Sequence, residues 1–343
     1  MKKEKGKKRP VTVGGQAVME GVMMQGPEHS AIAVRRSDGK IVLHTKQLKK
    51  IADKYPILGW PIIRGVVNFV VMLMSGMKTI TESADMAGLD IEEPSKAEKK
   101  IAQWLHMKPN DVMMLFAVIL AIVLAVGLFF VLPTVLESFV KRVIENRILI
   151  NIAGGVIRIA VFLTYLLLVS RLKEIKRVFQ YHGAEHKTVF CFENNEPLTV
   201  ENVRKYSTLH PRCGTSFLVI VMIISIFIFT LMGTNSSNVL MRVLSRLALL
   251  PLVAGISYEA LRWLGWAENN VLVRLLKWPG LMTQKITTAE PDDSMIEVAI
   301  VSLKAALKMP NPLPQEDDAE YADAMAKAEA DAEQTSEEET GDC

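Results

Sequence analysis

The chain has 343 residues, half of them hydrophobic, and a formal net charge of only +3. Three cysteines, Cys191, Cys213 and Cys343, are too few for a disulfide framework; this excludes a small secreted scaffold and fits a reducing cytoplasmic face. The near-neutral sum hides a split, because from Asn311 onward twelve acidic residues and one lysine contribute −11 and leave +14 on the remainder.

Residues 1–10 form a basic, flexible N-terminus (Lys2, Lys3, Lys5, Lys7, Lys8, Arg9). No apolar stretch follows it, so no cleavable signal peptide is predicted. Cytoplasmic retention accounts for this charge, and no specific nucleic-acid partner is expected. Residues 11–50 are expected to be a small β-containing region. Within it the glycine-punctuated stretch Gly14–Met24 predicts a strand and tight turn packed against the membrane part. Ala31–Arg36 and Lys40–Lys46 alternate apolar and polar residues around Ser37-Asp38-Gly39, which predicts a β-hairpin.

Residues 51–110 are expected to hold an interfacial or re-entrant helix and a linker, because the apolar stretch Ile57–Ile80 is interrupted by Gly59, Pro61 and Arg64. Residues 111–284 carry the membrane domain. Val112–Leu132 is an uncharged apolar run, long enough at a 1.5 Å rise to meet the roughly twenty residues that a bilayer needs. Leu149–Ser170 (broken by Arg158), Ser216–Met232 and Val243–Leu264 (with Arg246, Glu259 and Arg262) follow. Four spans are predicted, with a fifth if Ile57–Ile80 crosses, and the lipid bilayer is the first partner implied.

Loop charge sets the orientation. Arg171–Arg212 carries eight Lys or Arg residues, whereas Asn235–Met241 carries no charge at all. The positive-inside rule then places both termini and the Arg171–Arg212 loop in the cytoplasm, although the link Glu137–Arg147, with Lys141, Arg142 and Arg147, is basic for an outer loop. In residues 285–310, Pro291-Asp292-Asp293 opens an amphipathic helix whose stripe is Ile296, Ala299, Ile300, Leu303 and Leu307. It is expected to dock on another part of the protein or on lipid. Residues 311–343 are an acidic tail without an apolar face, expected to be disordered. The fold class is therefore mainly α: a polytopic membrane helix bundle with a small N-terminal β-hairpin region.

The chemistry concentrates in His182-Gly183-Ala184-Glu185-His186. On a helix the two imidazoles and the carboxylate of an H-x-x-E-H sequence share one face, which suits two metal ligands beside a general base, and the same order marks the inverzincin metallopeptidases. Among six histidines in 343 residues, such a sequence arises by chance on the order of one time in a hundred. The helical pattern of the second span continues through Leu172, Ile175, Phe179, His182 and His186, which puts both histidines on a buried stripe. Two ligands do not hold a metal, so further donors are sought. His210 and Cys213 lie just before the third span, and both are competent zinc ligands. Glu259, a carboxylate inside an apolar span, is either a further ligand or the ion-pair partner of Arg158.

Four blocks, GGQAVMEGVMMQGP (Gly14–Pro27), YHGAEHK (Tyr181–Lys187), LTVENVRKYSTLHPRCGTSF (Leu198–Phe217) and TTAEPDDSMIEVAI (Thr287–Ile300), resemble the YqhQ-like family. These are bacterial membrane proteins described as predicted metal-dependent enzymes. The resemblance runs from residue 11 to about 308. It implies a multi-pass protein of the bacterial inner membrane, and groups His182, Glu185, His186, His210 and Cys213 as one site. It supplies no reaction. Two functions remain open. In a zinc hydrolase, most plausibly acting on an amide bond of a protein or peptide, His182 and His186 are ligands, His210 or Glu259 is the third, and Glu185 is the base. In a non-enzymatic scaffold or partner-binding protein, His182, His186, His210 and Cys213 close a structural zinc site.

Overall fold

The computed structural model describes residues 13–48, 56–88, 109–211, 213–232, 238–267, 270–309 and 316–317. The basic N-terminus, most of the linker after residue 88, Arg212 and nearly all of the acidic tail lie outside these, so the expectations placed on them are not addressed. The described chain is mainly helical, with one small sheet near the N-terminus.

The glycine-punctuated stretch folds as β1 (Gly14–Val18) and β2 (Gly21–Gln25), and the predicted hairpin as β3 (His29–Arg35) and β4 (Ile41–Gln47). The four strands form an antiparallel meander in sequence order, with Gly14 opposite Gln25, Val22 opposite Ala33 and Val34 opposite Val42. Gly39 has φ 87°, the left-handed conformation its turn requires, and Asp38 accepts the Lys40 N–H at 3.0 Å. Both faces of the sheet are covered. Val22, Met24, Ala31, Ala33, Ile41 and Leu43 enter one core, while Val18, Met23, Ile32, Val34 and Val42 enter another. This two-sided burial explains why the strands carry near-continuous apolar runs.

The Ile57–Ile80 stretch holds a helix, as expected, with its interruptions gathered at one end. Its breakers mark a helix start: a 3₁₀ turn at Pro56–Gly59 precedes α1 (Ile63–Ala87), 25 residues long. That helix is long and apolar enough to cross a membrane. Its far end reaches the sheet, where Met86 and Ala87 complete the second core and Ser83 Oγ accepts the Met19 N–H at 3.1 Å.

The next span is also longer than its apolar run. α2 (Pro109–Val126) continues through a π turn at Gly127–Val131 into α3 (Leu132–Val140). Pro133 cannot donate a backbone hydrogen bond, and the wider turn absorbs that loss without ending the helix. α4 (Arg147–Val169) is the third span-like helix. The helix expected to run on through His186 instead breaks after Val169. Leu172 turns extended (ψ 134°), is 54% exposed, and precedes a new helix, α5 (Lys173–Glu193). Ser170 Oγ donates back to Leu167 O at 2.9 Å, a local bond of the kind that competes with helix propagation.

After the short α6 (Val200–Arg204) comes α7 (Thr215–Met232), apolar but with a described span-like stretch of only Phe217–Leu231. The Val243–Leu264 run is two helices, α8 (Val239–Ala248) and α9 (Leu250–Trp266), bent by 45° where Pro251 enters the first turn of the second. Among the described residues three helices are thus long and apolar enough to cross a membrane, or four if the bent pair is one span. α10 (Val271–Thr287) contains Pro279, and α11 (Asp293–Ala306) is capped by Asp292, which accepts the Met295 N–H at 3.0 Å.

The predicted amphipathic helix α11 docks on the protein itself. It packs on β2, β3 and α5, with Met295, Ile296, Ala299, Ile300 and Leu303 in the first core. Ser302 Oγ donates to Ala31 O at 2.9 Å, and Arg35 pairs with Glu297 at 2.8 Å. Arg177 on α5 donates to Glu20, in the β1–β2 turn, at 2.6 Å. Sheet, α5 and α11 therefore form one packed unit beside the span-like helices.

Candidate metal centre

α5 places His182, Glu185 and His186 on one face, and all three are buried, His186 to 1% exposure. Gly183 lets that face come close to its neighbours. A Cβ built there would lie 2.1 Å from Ala289 O, so the helix can pass the Thr288–Pro291 segment only with a glycine. The approach is sealed by the Ala289 N–H, which donates to Phe179 O at 2.9 Å. Gly183→Ala is expected to destabilise the protein by about 1–3 kcal/mol or more through overpacking against backbone, read as a lowered thermal midpoint.

Each imidazole is fixed through its Nδ1. That of His182 lies 2.8 Å from Thr287 O, and that of His186 lies 2.5 Å from Thr208 O. A carbonyl can only accept, so each Nδ1 carries the proton and each Nε2 presents a lone pair. The His182 Nε2 lies 3.2 Å from Cys213 Sγ. The His186 Nε2 is buried and has no hydrogen-bond partner. Cys213 sits immediately before α7, where its sulfur receives the Thr215 N–H at 3.4 Å and contacts the Thr215 hydroxyl at 3.1 Å. The ligand atoms of His182, His186 and Cys213 all lie within 4.8 Å of one another. These three could hold a metal ion.

Glu185 lies at the edge of this group, with Oε2 3.6 Å from His186 Nε2 and 3.9 Å from His182 Nε2. Burial pushes its carboxyl up from the ordinary carboxylate range, opposed by the neighbouring imidazoles of His182 and His210 and by the Gly15 N–H, which it accepts from β1. A Cβ on Gly15 would lie 2.5 Å from Met23 O and 3.1 Å from Glu185 Cγ, so a glycine fits between β2 and this carboxylate. Burial likewise pushes the imidazolium of His186 down, favouring its neutral, ligating form.

The other expected ligands stand apart from the group. His210 packs beside it, its ring 5.7 Å from that of His186, but its Nε2 meets Glu193 at 3.4 Å. Its backbone is clamped by Gln284, whose side chain accepts the His210 N–H and donates to the His210 carbonyl, both at 2.8 Å. Glu259 pairs with neither the metal group nor Arg158. Arg64 reaches it across the α1–α9 contact, with Nε 2.6 Å from Oε1 and Nη2 2.5 Å from Oε2. Gly65 and Gly255 bring those helices together, the Cβ position of the first lying 2.9 Å from the Cα of the second. Arg158 is taken by Glu137 at 3.0 Å. Glu259→Gln is therefore expected to leave metal content unchanged while weakening the α1–α9 contact, which metal analysis and thermal unfolding can separate.

Sequence reasoning missed the two carbonyls, Thr208 and Thr287, that set the histidine tautomers, because a backbone acceptor leaves no mark in residue type. It also missed Gly15 as the cover over Glu185, although the glycine-rich block carrying it was visible.

Comparison with known proteins agrees with the earlier resemblance. A family model described as protein of unknown function (DUF1385) matches residues 60–309. The uncharacterized protein YqhQ of Bacillus subtilis (strain 168) is 34% identical over 308 residues, covering 88% of this chain and 94% of that relative. No solved structure matches. The matched segment contains α5 and Cys213 whole, and the chain belongs to the DUF1385 family.

Proposed function

We propose that this is an integral protein of the bacterial inner membrane that holds one zinc ion on His182, His186 and Cys213, and that it hydrolyses an amide bond of a protein or peptide substrate. The observation that carries the metal is the unpartnered, buried His186 Nε2. With both Nδ1 atoms protonated toward carbonyls, two imidazole lone pairs converge beside a cysteine. The thiol has one proton and can satisfy only one of them. A cation satisfies both, and two imidazoles with a thiolate form a donor set that suits zinc.

When bound, zinc supplies a Lewis acid and lowers the pKa of water at its open position. The residues of the chain do the rest. His182 and His186 are oriented by Thr287 and Thr208, so both imidazoles are set in the ligating tautomer. Glu185 stands where its Oε2 can take and return a proton, and burial raises its affinity for that proton. His210, held on Glu193 and Gln284, is a positioning residue for the Thr208–Cys213 segment.

A second reading has its own support. Every side chain of the group is buried and β1 lies over Glu185, which suits a closed zinc staple in a scaffold protein. The two are separated by assaying the full-length protein in detergent against a panel of fluorogenic peptides. Cleavage that a zinc chelator abolishes and added zinc restores supports the hydrolase. Retained zinc with no cleavage supports the staple. The positive-inside pattern of the loops supports a cytoplasmic side for this site and both termini.

A further inference from the structure

A second polar cluster lies among the span-like helices, formed by α3, α4 and α8. At its centre is Glu137, 3% exposed, which accepts from Arg246 at 2.7 Å, from Arg158 at 3.0 Å and from Arg242 at 3.4 Å, with Lys141 at 3.6 Å. Arg242 also donates to Ser138 Oγ at 2.6 Å, and Arg246 donates to Thr134 Oγ1. Helix α4 offers Gly154 at the contact, where a Cβ would lie 2.9 Å from Glu137 Oε2.

The charges do not balance. Three guanidiniums and an ammonium surround one carboxylate, and among the described residues no other carboxylate pairs with them. Arg242 and Arg246 are only 2% and 5% exposed. Their Nε atoms are buried and have no hydrogen-bond partner. Surplus positive charge with unused donors is costly among apolar helices unless an anion completes it. Glu137 lies about one turn from the end of its span, near the depth of lipid headgroups. Arginine donors in this arrangement match the oxygens of a phosphate.

We propose that Arg158, Arg242 and Arg246, held apart and oriented by Glu137, form a binding site for a phosphate group, carried by an anionic phospholipid or as free phosphate. It is separate from the His182–Cys213 centre and does not depend on that centre's function. The test is thermal unfolding of the full-length protein in detergent. Inorganic phosphate is compared with chloride at equal ionic strength, and phosphatidylglycerol with phosphatidylcholine. An upward shift of several degrees with phosphatidylglycerol alone identifies a lipid site, and one with inorganic phosphate identifies a free-anion site. Arg246→Gln is expected to remove the shift. No shift of the wild-type protein with either anion overturns the proposal, as does an equal shift in a folded Arg246→Gln. The wild-type arm decides the matter even where that variant does not fold.

Discussion

His186→Ala is expected to purify almost free of metal, with affinity reduced by more than about 100-fold. Loss of an outer hydrogen-bond partner alone costs 10–100-fold in metal sites, and this substitution removes a ligand. The alanine leaves His182 and Cys213 as the two remaining members of the group. It also abandons the Thr208 carbonyl that His186 Nδ1 approaches at 2.5 Å, so the Thr208–Cys213 segment loses one of its ties to α5. His210→Ala is the matched control. Its imidazole is also buried, but its Nε2 meets Glu193, so this variant is expected to keep its metal. Metal per chain after dialysis of both proteins checks the contrast. Equal retention in the two variants would count against the ligand assignment.

Glu185→Gln is expected to separate metal binding from chemistry. The substitution keeps size and one oxygen, so His182, His186 and Cys213 stay in place and occupancy stays near that of the wild type. A glutamine cannot take a proton, and positioned general bases contribute typically 10²–10⁴-fold. Peptide cleavage is therefore expected to fall by about that factor at unchanged metal content. Loss of metal in this variant would make Glu185 a ligand, which its 3.6 Å and 3.9 Å distances from the imidazole nitrogens permit, and would favour the closed staple.

How much of this was legible in the sequence depended on whether the signal was periodic. The Gly14–Met24 stretch, expected as a strand and a tight turn, folds as two strands. The β3–β4 hairpin and α11 were visible because a glycine turn between apolar runs and a three-to-four step are local signals. His182, Glu185 and His186 were visible for the same reason, and Cys213 by its chemistry. The membrane helices were less so. The apolar run stopped at Leu132 and the basic link was read from Glu137, yet a π turn carries the helix on to Val140. Gly59 and Pro61 suggested an interrupted segment, yet they precede α1 rather than break it. Misplacing these two helices hid Arg64 and Glu137, which is why Arg158 and Glu259 were matched with each other when each had a nearer partner. Ion pairs between distant segments depend on which helices are neighbours, and hydropathy alone does not say.

The most direct test of the metal centre is X-ray absorption on the wild-type protein, purified without chelator and quantified for metal per chain. Zinc at about one ion per chain is expected, with a first shell that includes nitrogen near 2.0–2.1 Å and sulfur near 2.3 Å. A protein that is metal-free after such handling, or a metal whose shell contains no sulfur, would contradict the site built from His182, His186 and Cys213.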